Sequence, residues 1–120
     1  MKGIIKFISL LVFLTFFLCS TDADTCDPII TQKLTGRKIR NEPQWEVLIK
    51  PTCWCQYSNA TLACTGFKTV EPLDSNVITR TSADVCSIVN SFYIESPPTF
   101  TYAWRKPYNF TKISYAIACS

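Results

Sequence analysis

Histidine is absent from all 120 residues. That removes Ser–His and Cys–His nucleophile–base pairs and the commonest zinc ligand. A C-x-x-C redox motif is also missing, because the closest cysteines, Cys53 and Cys55, have the spacing C-x-C. Zinc held by cysteine alone needs four thiolates in a tetrahedron, and Cys86 and Cys119 stand singly. No second long apolar run follows the N-terminal one, so no membrane insertion is expected of the mature chain. Repeats, low-complexity tracts and linkers are lacking. The carboxylates are scattered and read as surface charge rather than as a facing acid–base pair. Neither an enzyme nor a cofactor or metal site is expected.

What is present begins with a secretory pattern. Lys2 and Lys6 are followed by an almost unbroken apolar stretch from Phe7 to Leu18, then by Ser20, Thr21 and Ala23. A positive start, a short apolar run and small residues make a signal peptide over residues 1–23. Cleavage is expected after Ala23, with Ser20 as the alternative. The mature chain, residues 24–120, is long enough for one domain with a modest core.

Of seven cysteines, Cys19 leaves with the signal. Cys26, Cys53, Cys55, Cys64, Cys86 and Cys119 remain, an even number in a small secreted chain, which reads as a disulfide framework. Their pairing stays open, except that Cys53 and Cys55 on one strand are too close to join easily. Charge is nearly balanced. The densest basic group, Lys33, Arg37, Lys38 and Arg40 in TQKLTGRKIRNEP, is expected to be a solvated loop and not a nucleic-acid patch.

Hydrophobic periodicity is two rather than 3.6. Trp45, Val47 and Ile49 share a face in PQWEVLIKP; Phe100, Tyr102 and Trp104 share one in TFTYAW; Ile113, Tyr115, Ile117 and Cys119 share one in KISYAIAC. ATLACTGF and IITQKL are weaker strands, and VCSIVNSFYI reads as either a buried strand or a short helix. Prolines fall between or at the ends of these runs. Six or seven short antiparallel strands predict an all-β, disulfide-stapled β-sandwich.

Two sequons, Asn59-Ala60-Thr61 and Asn109-Phe110-Thr111, fall where turns are expected and are candidate glycosylation sites. Tyr57, Phe92, Tyr93, Trp104 and Tyr108 are spread along the chain, most suited to core packing. Trp54 is different. Its neighbours Cys53 and Cys55 point to the opposite face of an extended segment, so Trp54 is the candidate exposed binding aromatic.

These elements occur in an order that resembles the plant tapetum determinant family of small secreted cysteine-rich proteins. The matching pieces are Cys26; PQWEVLI with Pro43 and Trp45; Cys53 and Cys55; LACTGF followed by KTVEPLD; Cys86; FTYAW; and Cys119 near the end. TGFKTVEPLD, with Phe67, Val70, Pro72 and Leu73, is the most specific. The single residue between Cys53 and Cys55, the SIVNSFYI after Cys86 and the short stretch before Cys26 mark a shorter branch without a propeptide. The resemblance implies an extracellular (apoplastic) ligand in plant development that binds a leucine-rich-repeat receptor kinase ectodomain in cell-fate specification. An extracellular carbohydrate- or cell-wall-glycan-binding module is the other reading, since a secreted sandwich with spare aromatics suits that role.

Overall fold

Two antiparallel sheets face each other in the computed structural model, which describes residues 26–119. The signal segment and its cleavage point lie outside the described residues. Seven strands follow in chain order: β1 (Ile29–Ile39), β2 (Glu42–Lys50), β3 (Gln56–Ala63), β4 (Ile78–Arg80), β5 (Val85–Ile88), β6 (Thr99–Ala103) and β7 (Thr111–Ala118). One sheet has the order β1-β2-β6 and the other β4-β5-β3-β7. The fold is an all-β, disulfide-stabilised sandwich.

The alternation read from the sequence builds the core. Val47 and Ile49 from β2 meet Phe100 and Tyr102 from β6, all buried, with Trp45 partly covered at the end of that face. The second sheet contributes Tyr57, Ala60 and Leu62 from β3, Ile78 from β4, Cys86 and Ile88 from β5, and Ile113 and Tyr115 from β7. Two aromatic groups fill the space between the sheets. Phe67, Phe100, Tyr102, Tyr108 and Phe110 pack mostly edge to face, the geometry favoured by ring quadrupoles. Tyr57, Phe92 and Tyr115 form the other group.

Several segments differ from expectation, each for a local reason. The basic stretch expected as a loop is a hairpin. Arg40 and Asn41 take φ of 49° and 72°, the left-handed pair that a two-residue turn between Ile39 and Glu42 requires. The stretch VCSIVNSFYI is β5 for its first four residues and then a loop, with no helix. Trp104 lies just beyond β6 rather than within it. Strand β4, within SNVITRTS, is too short to show a period. Pro43 lies inside β2, opposite Lys38, near its start.

Strand β3 carries an irregularity that decides where side chains point. Its register to β7 shifts between Ser58 and Thr61, and Asn59 has φ of 52°. The bulge lets Tyr57 and Ala60, three positions apart, both face inward, while Asn59 turns out to solvent. Asparagine tolerates this conformation better than most residues.

Candidate binding surface

The disulfides are Cys26–Cys53, Cys55–Cys119 and Cys64–Cys86. Cys64–Cys86 is fully buried and joins the end of β3 to β5. The other two converge on three residues. Cys53 holds the start of the described chain and Cys55 holds its end, with Trp54 between them.

Residues 53–55 are not extended, as the sequence reading assumed. The Cys55 N–H donates to the Cys53 carbonyl at 2.9 Å, closing a tight turn. Trp54 forms the apex and is 73% exposed. Its exposure was legible, but the cause is the turn, not strand alternation.

The turn rests on a buried tyrosine. Tyr57 Oη donates to the Cys26 carbonyl at 2.6 Å and accepts from the Cys53 N–H at 3.3 Å. Its ring stacks on Phe92 with centroids 5.2 Å apart. The main chains of Tyr57 and Phe92 exchange two hydrogen bonds of 2.9 Å. This pairing brings in the next residue, Tyr93, which is 46% exposed. A concavity of about 360 Å³ lies between the two exposed rings, lined also by Gln56, Glu95 and the Cys55–Cys119 bridge. Tyr115 adds a further tie, donating to Asp27 Oδ1 at 2.6 Å. The surface thus combines two rings, an amide and a carboxylate on a cross-linked base. Tyr93, expected from the sequence among the core-packing rings, is exposed instead, because the pairing of its neighbour Phe92 with Tyr57 places it beside Trp54.

The run TGFKTVEPLD has a structural job away from this surface. Gly66, at φ of 73°, occupies the turn that joins Cys64 to Phe67. Arg80 clamps the turn by donating to the carbonyls of Phe67 and Cys64 at 2.8 and 3.0 Å. Residues 69–71 then cap the outer edge of β6. The Val70 N–H donates to the Ala103 carbonyl, and the Ala103 N–H to Thr69 Oγ1, both at 3.0 Å. Glu71 reaches over the sheet's outer face, accepting from Gln44 Nε2 at 3.0 Å and Thr101 Oγ1 at 2.8 Å. Gln44 is buried, and Thr35 Oγ1 donates to its Oε1 at 2.7 Å. Inside the sandwich, burial pushes the Tyr102 hydroxyl above its ordinary pKa, offset in part by the Tyr108 N–H that donates to it at 2.8 Å. That hydroxyl donates to Gln32 on β1.

The sequon asparagines are both exposed. Asn59 lies on the β3 bulge rather than in a turn, a difference from expectation. Asn109 lies in the loop before β7, where Phe110 is buried among the aromatic rings and leaves Asn109 outside. Among the described residues all six cysteines are bridged, and no cluster of three or more Cys, Asp or Glu side chains could hold a metal. No helix among them is long and apolar enough to cross a membrane.

No curated protein and no solved structure gives a match to the chain. A family model described as Tapetum determinant 1, C-terminal, matches residues 24–120. The match spans every strand, all three disulfides and the edge-capping run, and the chain belongs to the tapetum determinant 1 family.

Proposed function

We propose that the mature chain is an extracellular developmental signal of plants that acts by binding the ectodomain of a leucine-rich-repeat receptor kinase, in cell-fate specification. Family membership fits a developmental signalling role, and three disulfides fit an extracellular protein. The observation that carries the choice of surface is Trp54, held exposed between two disulfide-bonded cysteines. Trp and Tyr dominate binding hot spots, and a rigid turn loses little conformational entropy on docking. Repeat ectodomains offer concave faces suited to a small rigid domain. The protein acts by binding rather than by catalysis, after signal removal near Ala23, with N-glycans on Asn59 and Asn109.

A second reading rests on the same concavity. Two aromatic faces with Gln56 and Glu95 between them also suit a neutral wall glycan, whose apolar face stacks on rings while its hydroxyls bond to polar groups. One experiment separates the two. Purified wild type and Trp54→Ala are measured against candidate receptor ectodomains and on a glycan array. Ectodomain binding that the variant loses, with no glycan affinity, supports the ligand. Glycan binding lost on the same change, with no ectodomain bound, supports the sugar reader.

A further inference from the structure

The hairpin of β1 and β2 outruns its sheet. Strand β6 pairs with β2 from Gln44 to Leu48, and the Trp104 N–H just beyond it donates to the Pro43 carbonyl at 3.2 Å, so residues 36–42 project as a two-stranded ribbon. None of residues 33–43 is buried. Three cations, Arg37, Lys38 and Arg40, are exposed on this ribbon. Of the neighbouring acids, Glu46 pairs with Lys33 at 3.4 Å and Glu71 accepts from Gln44 and Thr101, while Glu42, beside the turn, is the one carboxylate on the ribbon and is outnumbered by three cations. Among the described residues no carboxylate forms an ion pair with Arg37, Lys38 or Arg40.

The ribbon is shaped, not slack. Gly36, at φ of 89°, lies in the bulge between Leu34 and Lys38, and the Arg37 N–H donates to Thr35 Oγ1 at 3.2 Å. At the tip, Arg40 occupies a left-handed position where Gly, Asn or Asp fits with less strain. A long cation is thus kept at the outermost point although a shorter residue would suit the turn. Backbone strain at an exposed position points to use.

We propose that this ribbon is an anchor for an anionic polysaccharide, a polymer of uronic acid residues. The chemistry follows from what the tip has and lacks. It has three cations within four positions, spread over both faces of an extended ribbon. It has no buried side chain, so it presents charge without a fitted shape. A polymer whose carboxylates recur at short intervals meets such a surface in many equivalent registers, held by charge and weakened by salt. The ribbon lies at the far end of β2 from Cys53, roughly 30 Å along the strand. An anchored hairpin therefore leaves the Trp54 turn uncovered.

The test uses the full secreted protein with polygalacturonate and, as the neutral control, fully methyl-esterified polygalacturonate, at low and high NaCl. The variant is Arg37→Gln/Lys38→Gln/Arg40→Asn, in which asparagine at 40 suits the turn and guards against misfolding. Wild type should bind the acidic polymer at low salt, release at high salt and ignore the ester. The triple variant should bind roughly tenfold or more weakly with an unchanged circular dichroism spectrum. Trp54→Ala should bind the acidic polymer like wild type, whatever its effect on a receptor. Equal binding of the ester, or full binding by the triple variant, overturns the proposal. So does a triple variant that loses a receptor ectodomain but keeps the polymer, because the ribbon then faces a protein. Failure of every ectodomain to bind leaves the polymer result intact and counts only against the receptor.

Discussion

At one end of the molecule two disulfides and a buried tyrosine fix a three-residue turn; at the other, a glycine bulge and a two-residue turn shape a projecting hairpin. The first end presents an aromatic surface and the second a cationic one. The disulfide end is fixed by covalent bonds that also restrict the unfolded chain, and it rests on the buried Tyr57–Phe92 stack. The hairpin has only its own ladder and local dihedral preferences, which opens it to fraying and makes it sensitive to single turn residues. Between them, the buried Cys64–Cys86 bridge serves neither surface and belongs to the core.

The core that both ends share is the most sensitive point of the molecule. Cys64→Ser or Cys86→Ser leaves a thiol and a hydroxyl in a site with no exposure. Loss of a native disulfide from a small secreted domain costs about 2–5 kcal/mol. Secreted yield should collapse, and any recovered protein should melt far lower, with both surfaces lost together. Normal secretion with retained binding by both variants would contradict the account of a rigid frame.

Trp54→Ala should separate the ends. The ring is mostly exposed, so folding stability should change by no more than about 0.5 kcal/mol. Binding through this surface should weaken by about 2 kcal/mol or more, the mark of an anchor residue. Isothermal titration against candidate receptor ectodomains, beside a thermal melt, reads both. Equal affinity for variant and wild type would remove Trp54 from the site.

How far the two ends could be read from the sequence differs in the same way. Trp45, Val47 and Ile49, like Phe100 and Tyr102, alternate cleanly, and those strands were legible. Alternation fails where a bulge intervenes. In β3 the register shifts around Asn59 and again between Thr61 and Ala63, so ATLACTGF looked weak, whereas IITQKL pairs regularly but lies in an edge strand with no buried residue, so its alternation is faint. The hairpin turn was missed because Arg-Asn carries no glycine, the usual mark of such a turn. Cysteine count follows from compartment, but pairing needs the third dimension. Cys119 meets Cys55 because β7 pairs with β3, a contact across 64 positions of chain. The surface was half legible for the same reason: Trp54 is marked by its neighbours, whereas Tyr93 arrives through the bridge between the adjacent Phe92 and Tyr57.

Tyr57→Phe tests what fixes the turn beyond its cysteines. The change keeps the ring stack on Phe92 and removes one hydroxyl that serves both Cys26 and Cys53. The Cys26 carbonyl loses its donor, and the expected loss is about 1–2 kcal/mol. Hydrogen exchange at Cys53 and Cys55 should quicken while the β1–β2 hairpin amides stay as they were. A uniform change across the molecule would mean that Tyr57 supports the core and not the turn.

The smallest effect should be a gain. Arg40 holds φ of 49°, a conformation that brings Cβ too close to the following carbonyl in most L-residues. Asparagine adopts this region more readily, and the flanking pair Ile39–Glu42 is unaffected by the exchange. Arg40→Asn should therefore stabilise the protein by about 0.5–1 kcal/mol. For a domain of this size that corresponds to a melting temperature higher by roughly 2–8 °C. Protection of the hairpin amides should rise, and exchange at Cys53 and Cys55 should not move, since those residues lie beyond the opposite end of β2. The opposite exchange at the next position, Asn41→Arg, should lower the melting temperature, because it adds a second strained position. If Arg40→Asn destabilises the fold, the arginine side chain makes a contact that holds the hairpin, and its strain is not kept for an outside partner.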